Sequence, residues 1–260
     1  MKFQDSAELT KWAVESGKLW LFLDYDGTLA DFAPTPDHIL PDPALIHLIE
    51  GLARKPGIRV SILSGRRLSH LRQLLPVAGI ILAGTYGIEL LEESGQMIQR
   101  LQYEKLRPAL EAIKPEWHQL IQGRDGFFLE DKGWTLALHA RFAREEDVEQ
   151  VLARAMEVVN AAPLAREFRI LGGHRFLEIA PRLASKRETV EYLLSHYSLP
   201  DARLLYIGDD DKDEEAFPPI HAHGGIAVKV FQPSQSALPT TADFSLASPA
   251  ETRDWLQELL

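Results

Sequence analysis

The chain has 260 residues, 45% of them hydrophobic and 25% charged, a composition that fits a globular protein and excludes disordered and collagen-like classes. Its 28 Lys and Arg against 38 Asp and Glu leave a net charge of -10, so nonspecific attraction to nucleic acid or an anionic membrane is not expected. With no Cys, disulfides, thiol nucleophiles and thiolate metal sites are excluded, and the cytoplasm is the default compartment.

The first eighteen residues, MKFQDSAELTKWAVESGK, contain a helix-like segment over 5–17 but no apolar core of a secretion signal. No later stretch reaches the roughly 18 apolar residues of a membrane helix. Residues 18–24, KLWLFLD, form a short apolar run ending in acidic residues, the pattern of a buried parallel strand. A Pro-rich loop over 33–43 precedes a helical stripe of Leu45, Ile46, Leu48, Ile49 and Leu52. IRVSILSG repeats the strand, Leu68, Leu71, Leu74 and Leu75 mark a second helix, and IILAGTYGIELLE supplies a further apolar run. This alternation predicts a parallel α/β sheet flanked by helices.

From about residue 103 a helix, two strands (GFFLEDK, WTLALHAR), a second helix and two more strands (EFRILGG, HRFLEIA) follow. This duplicated order predicts an inserted α+β module with a small antiparallel sheet. The first rhythm then returns with KRETVEYLLSHY, ARLLYIG, an acidic loop, GIAVKV, ADFSL and a terminal helix from Pro249. The expected organisation is a core of 1–103 and 182–260 interrupted by an insert of 104–181.

Asp24-Tyr25-Asp26-Gly27-Thr28-Leu29 follows the first strand, where ligands bind in open α/β sheets. Taken singly, Asp and Gly there are also ordinary turn residues. A second acidic run, Gly208-Asp209-Asp210-Asp211-Lys212-Asp213, sits at another strand end, and carboxylates clustered there call for a hard cation. Ser64-Gly65-Arg66 ends a strand, and Ser185-Lys186 opens a helix. Either suits a phosphate, and either also suits plain capping.

Carboxylate pair, hydroxyl, Lys and acidic cluster in this order, with an insertion between the second and third signals, resemble the haloacid dehalogenase superfamily with a type C2 cap. Within it the chain most resembles the trehalose 6-phosphate phosphatases, through DYDGTL (24–29), SGR (64–66), GTYGIE (84–89), Glu130-Asp131-Lys132-Gly133 and GDDDKDEEAF (208–217). The resemblance implies a Rossmann-like core, Mg2+, a nucleophile at Asp24, a general acid/base at Asp26, and a phosphate clamp of Ser64 and Lys186. It places metal ligands on Asp24, the Asp26 carbonyl, Asp209 and Asp213, with Gly65 and Arg66 beside the substrate. Sugar hydroxyls would meet Glu130, Lys132, an Arg of the following strand at Arg141, and Glu178, although cross-strand ion pairs could equally use such residues.

Tyr86, Arg187 and Lys212 stand where that family usually has His, Gly and Thr. A trehalose 6-phosphate phosphatase is therefore the leading expectation. Other sugar or glycosyl phosphates (sucrose 6-phosphate, mannosyl-3-phosphoglycerate, glucosylglycerol phosphate), a silent sugar-phosphate sensor and a phosphomutase stand beside it. Association with a trehalose 6-phosphate synthase is left open. Asp210 and Asp211 are second-layer or solvated, His221 and His223 receive no role, and Trp117 and Trp134 are expected to be buried.

Overall fold

The computed structural model describes residues 5–31, 40–162, 167–173, 175–231 and 239–260. Most of the Pro-rich loop (32–39), and His174 at the head of the last inserted strand, lie outside the described residues. In chain order the elements begin with α1 (Ser6–Glu15), β1 (Leu19–Asp24), α2 (Pro43–Arg54), β2 (Ile58–Leu63), α3 (Leu68–Leu74), β3 (Ile81–Gly84), β4 (Glu89–Leu91) and β5 (Met97–Gln99). Next come α4 (Tyr103–Ile121), β6 (Phe128–Asp131), β7 (Leu136–His139), α5 (Glu145–Ala161), β8 (Phe168–Gly173) and β9 (Phe176–Pro181). The chain closes with α6 (Lys186–His196), β10 (Arg203–Gly208), α7 (Asp211–Glu214), α8 (Phe217–Ala222), β11 (Ile226–Val230), β12 (Phe244–Leu246) and α9 (Pro249–Glu258).

Two compact units result: Met1–Ile98 with Ser185–Leu260, and Gln99–Ala184. In the first, the sheet runs β12-β11-β10-β1-β2-β3-β4-β5, parallel from β12 to β3 and antiparallel at β3–β4. Because β1 is buried on both faces, its residues are apolar up to the closing Asp24. Leu19, Leu21 and Leu23 join the core under α2, α3 and α9, while Trp20 and Phe22 face α6 and α8. The chain leaves β1 toward β2 on one side and returns through β10 on the other, so the order reverses at β1 and opens a crevice beyond its carboxyl end.

The apolar run 80–92 divides into two antiparallel strands instead of one. Thr85, Tyr86 and Gly87 all have positive φ (49°, 54° and 89°), which turns the chain sharply, and the Tyr86 amide is held by the Ser64 carbonyl (2.8 Å). A β-branched residue at positive φ is rare and is tolerated where surrounding contacts hold it. The expected acidic loop is also partly helical: Asp210 caps α7 and Asp213 completes a capping box.

The second unit is a four-stranded sheet in the order β6-β7-β9-β8, with α4 and α5 packed on one face. Alternation sends Leu136, Leu138, Leu177 and Ile179 toward the helices. Asp131 shares that face. Arg107 of α4 donates to both its oxygens (2.7 and 2.5 Å), and Lys114 adds a contact at 2.7 Å. Trp117 is fully buried with its indole N–H on the Ala155 carbonyl (3.0 Å), and Trp134 packs edge-on against Tyr103. No described helix is long and apolar enough to cross a membrane.

Donation by Arg107, with burial opposing and Lys114 assisting, holds the Asp131 carboxyl well below the ordinary carboxylate range. Its stabilisation is therefore complete above the unfolded value of about 3.9 and fades as pH falls below it. Asp131→Asn is expected to lower stability at pH 7 by about 1–3 kcal/mol. The gap between thermal melts of the two proteins should start to narrow as pH falls below about 4 and keep narrowing below pH 3; a gap that stays constant throughout would contradict this assignment.

Candidate active site

Asp24 is the last residue of β1, at the point where the strand order reverses, and is 4% exposed. The chain then turns within DYDGTLA: Leu29 and Ala30 amides donate to the Tyr25 carbonyl (3.0 and 2.9 Å), and Gly27 N–H donates to Ala30 (2.7 Å). Gly27 has φ +85°, and a Cβ there would lie 2.3 Å from Asp209 Oδ2. Only glycine lets the first acidic loop approach the second so closely.

The Lys186 ammonium, 2% exposed, lies 2.6 Å from Asp24 Oδ1 and 2.6 Å from Asp213 Oδ1. It is the first residue of α6, whose start is fixed by the Ser185 side chain accepting from Glu188 N–H. Asp213 is more engaged than the sequence suggested. Its Oδ1 also accepts the Tyr206 hydroxyl (2.6 Å), and its Oδ2 accepts the amides of Asp209 and Asp210 (3.1 Å each). Four donors occupy this carboxylate, so Asp213 orients Lys186 and the β10–α7 loop while standing within the acidic group that could hold a metal. Asp210 caps α7 and Lys212 bridges Asp210 and Asp211 (3.2 and 3.0 Å).

Asp24, Asp209 and Asp213 bring ligand atoms within 4.8 Å of one another, all three buried. Burial pushes the Asp24 carboxyl well up; Lys186 opposes this, and Asp213 and Asp209 reinforce it. Burial, then the neighbouring Asp213 and Asp210, push Asp209 up to about 8. Asp213 is pushed up to about 6 by burial, with Lys186 opposing.

Ser64 follows β2 and is 1% exposed; its hydroxyl accepts the Arg66 amide (3.1 Å). A Cβ on Gly65 would lie 2.7 Å from the Tyr86 ring, so Tyr86 packs directly on the SGR turn. Arg66, expected beside the substrate, donates from Nε and Nη2 to both oxygens of Asp26, each at 2.7 Å. This two-pronged pair ties the SGR turn to the DYDGT loop. Arg187 pairs with Glu191 on the exposed face of α6, away from these residues.

In the second unit, three of the four expected sugar contacts gather on the sheet face opposite the helices. Lys132 Nζ lies 3.0 Å from Glu178 Oε1 and 3.9 Å from Glu130 Oε2. Glu178 is fully buried and also accepts the Thr135 hydroxyl (2.5 Å). Arg141 departs from expectation: β7 ends at His139, and Arg141 sits in the exposed turn beyond it. The sequence reading also missed His139, whose Nε2 is 2.8 Å from Glu130 Oε2. Its signal was the alternation Thr135, Ala137, His139 between buried leucines. His221, given no role, pairs with Asp243 (2.8 Å).

The Trehalose-phosphatase family model matches residues 22–250. The chain belongs to that family. As such it is a phosphoric monoester hydrolase. It is 31% identical over 233 residues to a probable trehalose-phosphate phosphatase of Sinorhizobium fredii, covering 88% of this chain and 81% of that protein. It is 30% identical over 245 residues to the trehalose-phosphate phosphatase of Mycobacterium marinum, covering 92% of this chain and 60% of that longer protein. The fold matches the C-terminal domain of C. albicans trehalose-6-phosphate phosphatase with a TM-score of 0.85 at 20% identity, over 99% of this chain and 98% of that one. A haloacid dehalogenase-like hydrolase from Bacteroides thetaiotaomicron matches with a TM-score of 0.61 at 15% identity, over 94% of this chain and 100% of that one. The architecture is thus a haloacid dehalogenase-type Rossmann-like core with an inserted α+β cap.

The donor set in this family member's core suits a metal ion. Three buried carboxylates gather around the ammonium of Lys186, and once ionised they carry more negative charge than it offsets, which a hard divalent cation balances through oxygen ligands. Without a cation, an acid raised to about 8 keeps its proton in the folded state and loses it unfolded above about 4. Stability therefore falls as pH rises through that window. The melting temperature of the cation-free protein should drop between pH 5 and pH 8 more steeply than that of Asp209→Asn, and MgCl2 should raise it more at pH 8 than at pH 5. Equal slopes with no MgCl2 effect would remove the metal assignment.

Proposed function

We propose that the protein is a Mg2+-dependent phosphatase that hydrolyses trehalose 6-phosphate to trehalose and inorganic phosphate through an aspartyl-phosphate. The observation that carries the reading is Asp24 at the switch point, buried beside Lys186 and Asp209 and one turn from Asp26. Asp24 is the nucleophile, splitting one difficult displacement into two easier ones. Lys186 neutralises charge on Asp24 and on the phosphoryl group, and Ser64 adds a hydroxyl. Asp24, the Asp26 carbonyl and Asp209 would hold Mg2+, which when bound neutralises and orients phosphate oxygens. Asp213 aligns Lys186 and the β10–α7 loop. Asp26 delivers the proton to the departing sugar oxygen and later takes one from water, for which it turns away from the Arg66 fork.

Family membership and the polar strip of Glu130, Lys132 and Glu178 support a sugar leaving group, since alternating carboxylates and an ammonium suit vicinal hydroxyls. The three departures from the family pattern lie elsewhere: Lys212 and Arg187 make local ion pairs, and Tyr86 packs on Gly65. Trehalose therefore remains the favoured sugar.

Phosphate release should be greatest with trehalose 6-phosphate in a panel with sucrose 6-phosphate, glucose 6-phosphate and mannosyl-3-phosphoglycerate. Asp24→Asn should reduce it by at least about 10^3-fold, and a chelator should abolish it. Preference for another sugar phosphate would displace the substrate; retained turnover in Asp24→Asn would displace the mechanism.

A further inference from the structure

Resting on the reading of the inserted sheet as the sugar-binding surface, we propose that His139 is a specificity-determining positioning residue that acts through Glu130. Registers place Phe128, His139 and Phe176 side by side across β6, β7 and β9, and Glu130, Ala137 and Glu178 in the adjacent row. The His139 ring stacks on Phe128 with centroids 4.3 Å apart and planes 9° from parallel, and meets Phe176 at 5.2 Å. An imidazole packed against two phenyl rings has little rotamer freedom left. Its Nε2 then points at Glu130 Oε2, 2.8 Å away, where an N–H donates to the carboxylate.

The consequence is a connected row of five groups: His139, Glu130, Lys132, Glu178 and Thr135. Glu178 is anchored by burial and by Lys132 and Thr135, but Glu130 keeps a quarter of its side-chain surface exposed. A partly exposed Glu must be ordered when it binds hydroxyls. Ordering it beforehand from a rigid neighbour improves binding of the sugar without touching the phosphoryl chemistry. His139 thus contributes to ground-state recognition of the leaving group, so its loss should appear in KM and spare kcat.

The test uses the full chain with trehalose 6-phosphate and with para-nitrophenyl phosphate, which lacks the sugar. His139→Phe keeps an aromatic ring in the stack and removes the donor; it should raise KM for trehalose 6-phosphate roughly 3- to 10-fold and leave kcat within about two-fold. His139→Gln, which restores an N–H donor, should recover most of that loss. In a Glu130→Ala background His139→Phe should add nothing further, because a residue acting through another is non-additive with it. Equal losses on both substrates, additive effects in the double variant, or an unchanged KM would each overturn the proposal. Failure of the underlying substrate reading is separable, because it shows in the wild-type protein as a lack of preference for any sugar phosphate over the aryl ester.

Discussion

The ammonium of Lys186, buried between Asp24 and Asp213, is the interaction on which the rest of the active site depends. Buried carboxylates are tolerated only when paired and hydrogen-bonded, and this one cation reaches two of them at 2.6 Å. Asp213 in turn accepts Tyr206 from within β10 and the two amides of the acidic loop. The first strand, the sixth helix and the acidic loop are therefore locked to one another by charge. The remaining negative charge is what a divalent cation and then a phosphate would answer, so the geometry stores a demand that ligand and metal together satisfy.

The second constraint is the close approach of loops. Gly27 brings the DYDGT turn against Asp209, and the Arg66 fork fastens that turn to the segment after β2. Tyr86, held at positive φ by its amide on Ser64 and its carbonyl on the Thr189 hydroxyl (2.7 Å), packs beneath the same segment. Four loops, one after each of four parallel strands, become one connected edge, which is how a short list of side chains can keep the alignment that in-line phosphoryl transfer needs.

Much of this was legible in the sequence, for identifiable reasons. Buried parallel strands such as β1 are apolar on both faces and announce themselves, and acidic residues at their carboxyl ends mark the ligand end of the sheet. The duplicated helix-strand-strand order exposed the insert. Less visible was anything decided by side-chain partners. Nothing in GDDDKD shows that Asp213 also accepts from Lys186, Tyr206 and two amides of its own loop. The pairing of Arg66 with Asp26 is equally invisible, because the two lie forty residues apart and meet only in the fold. The break at Thr85-Tyr86 looked like continuous strand, since backbone sign is not written in β-branched residues. Arg141 was placed in a strand that stops two residues earlier, at His139, and His139 itself was overlooked because its meaning comes from Phe128, Phe176 and Glu130 on neighbouring strands.

The account centres on carboxylates that burial holds partly protonated until a cation binds. Titration calorimetry of MgCl2 into the cation-free protein at pH 7, repeated in buffers of different ionisation enthalpy, addresses this directly. With Asp209 pushed up to about 8 and Asp24 pushed well up, binding should release protons, and Asp209→Asn should reduce that release and weaken binding. Mg2+ binding with no proton released, or binding undiminished in Asp209→Asn, would contradict it.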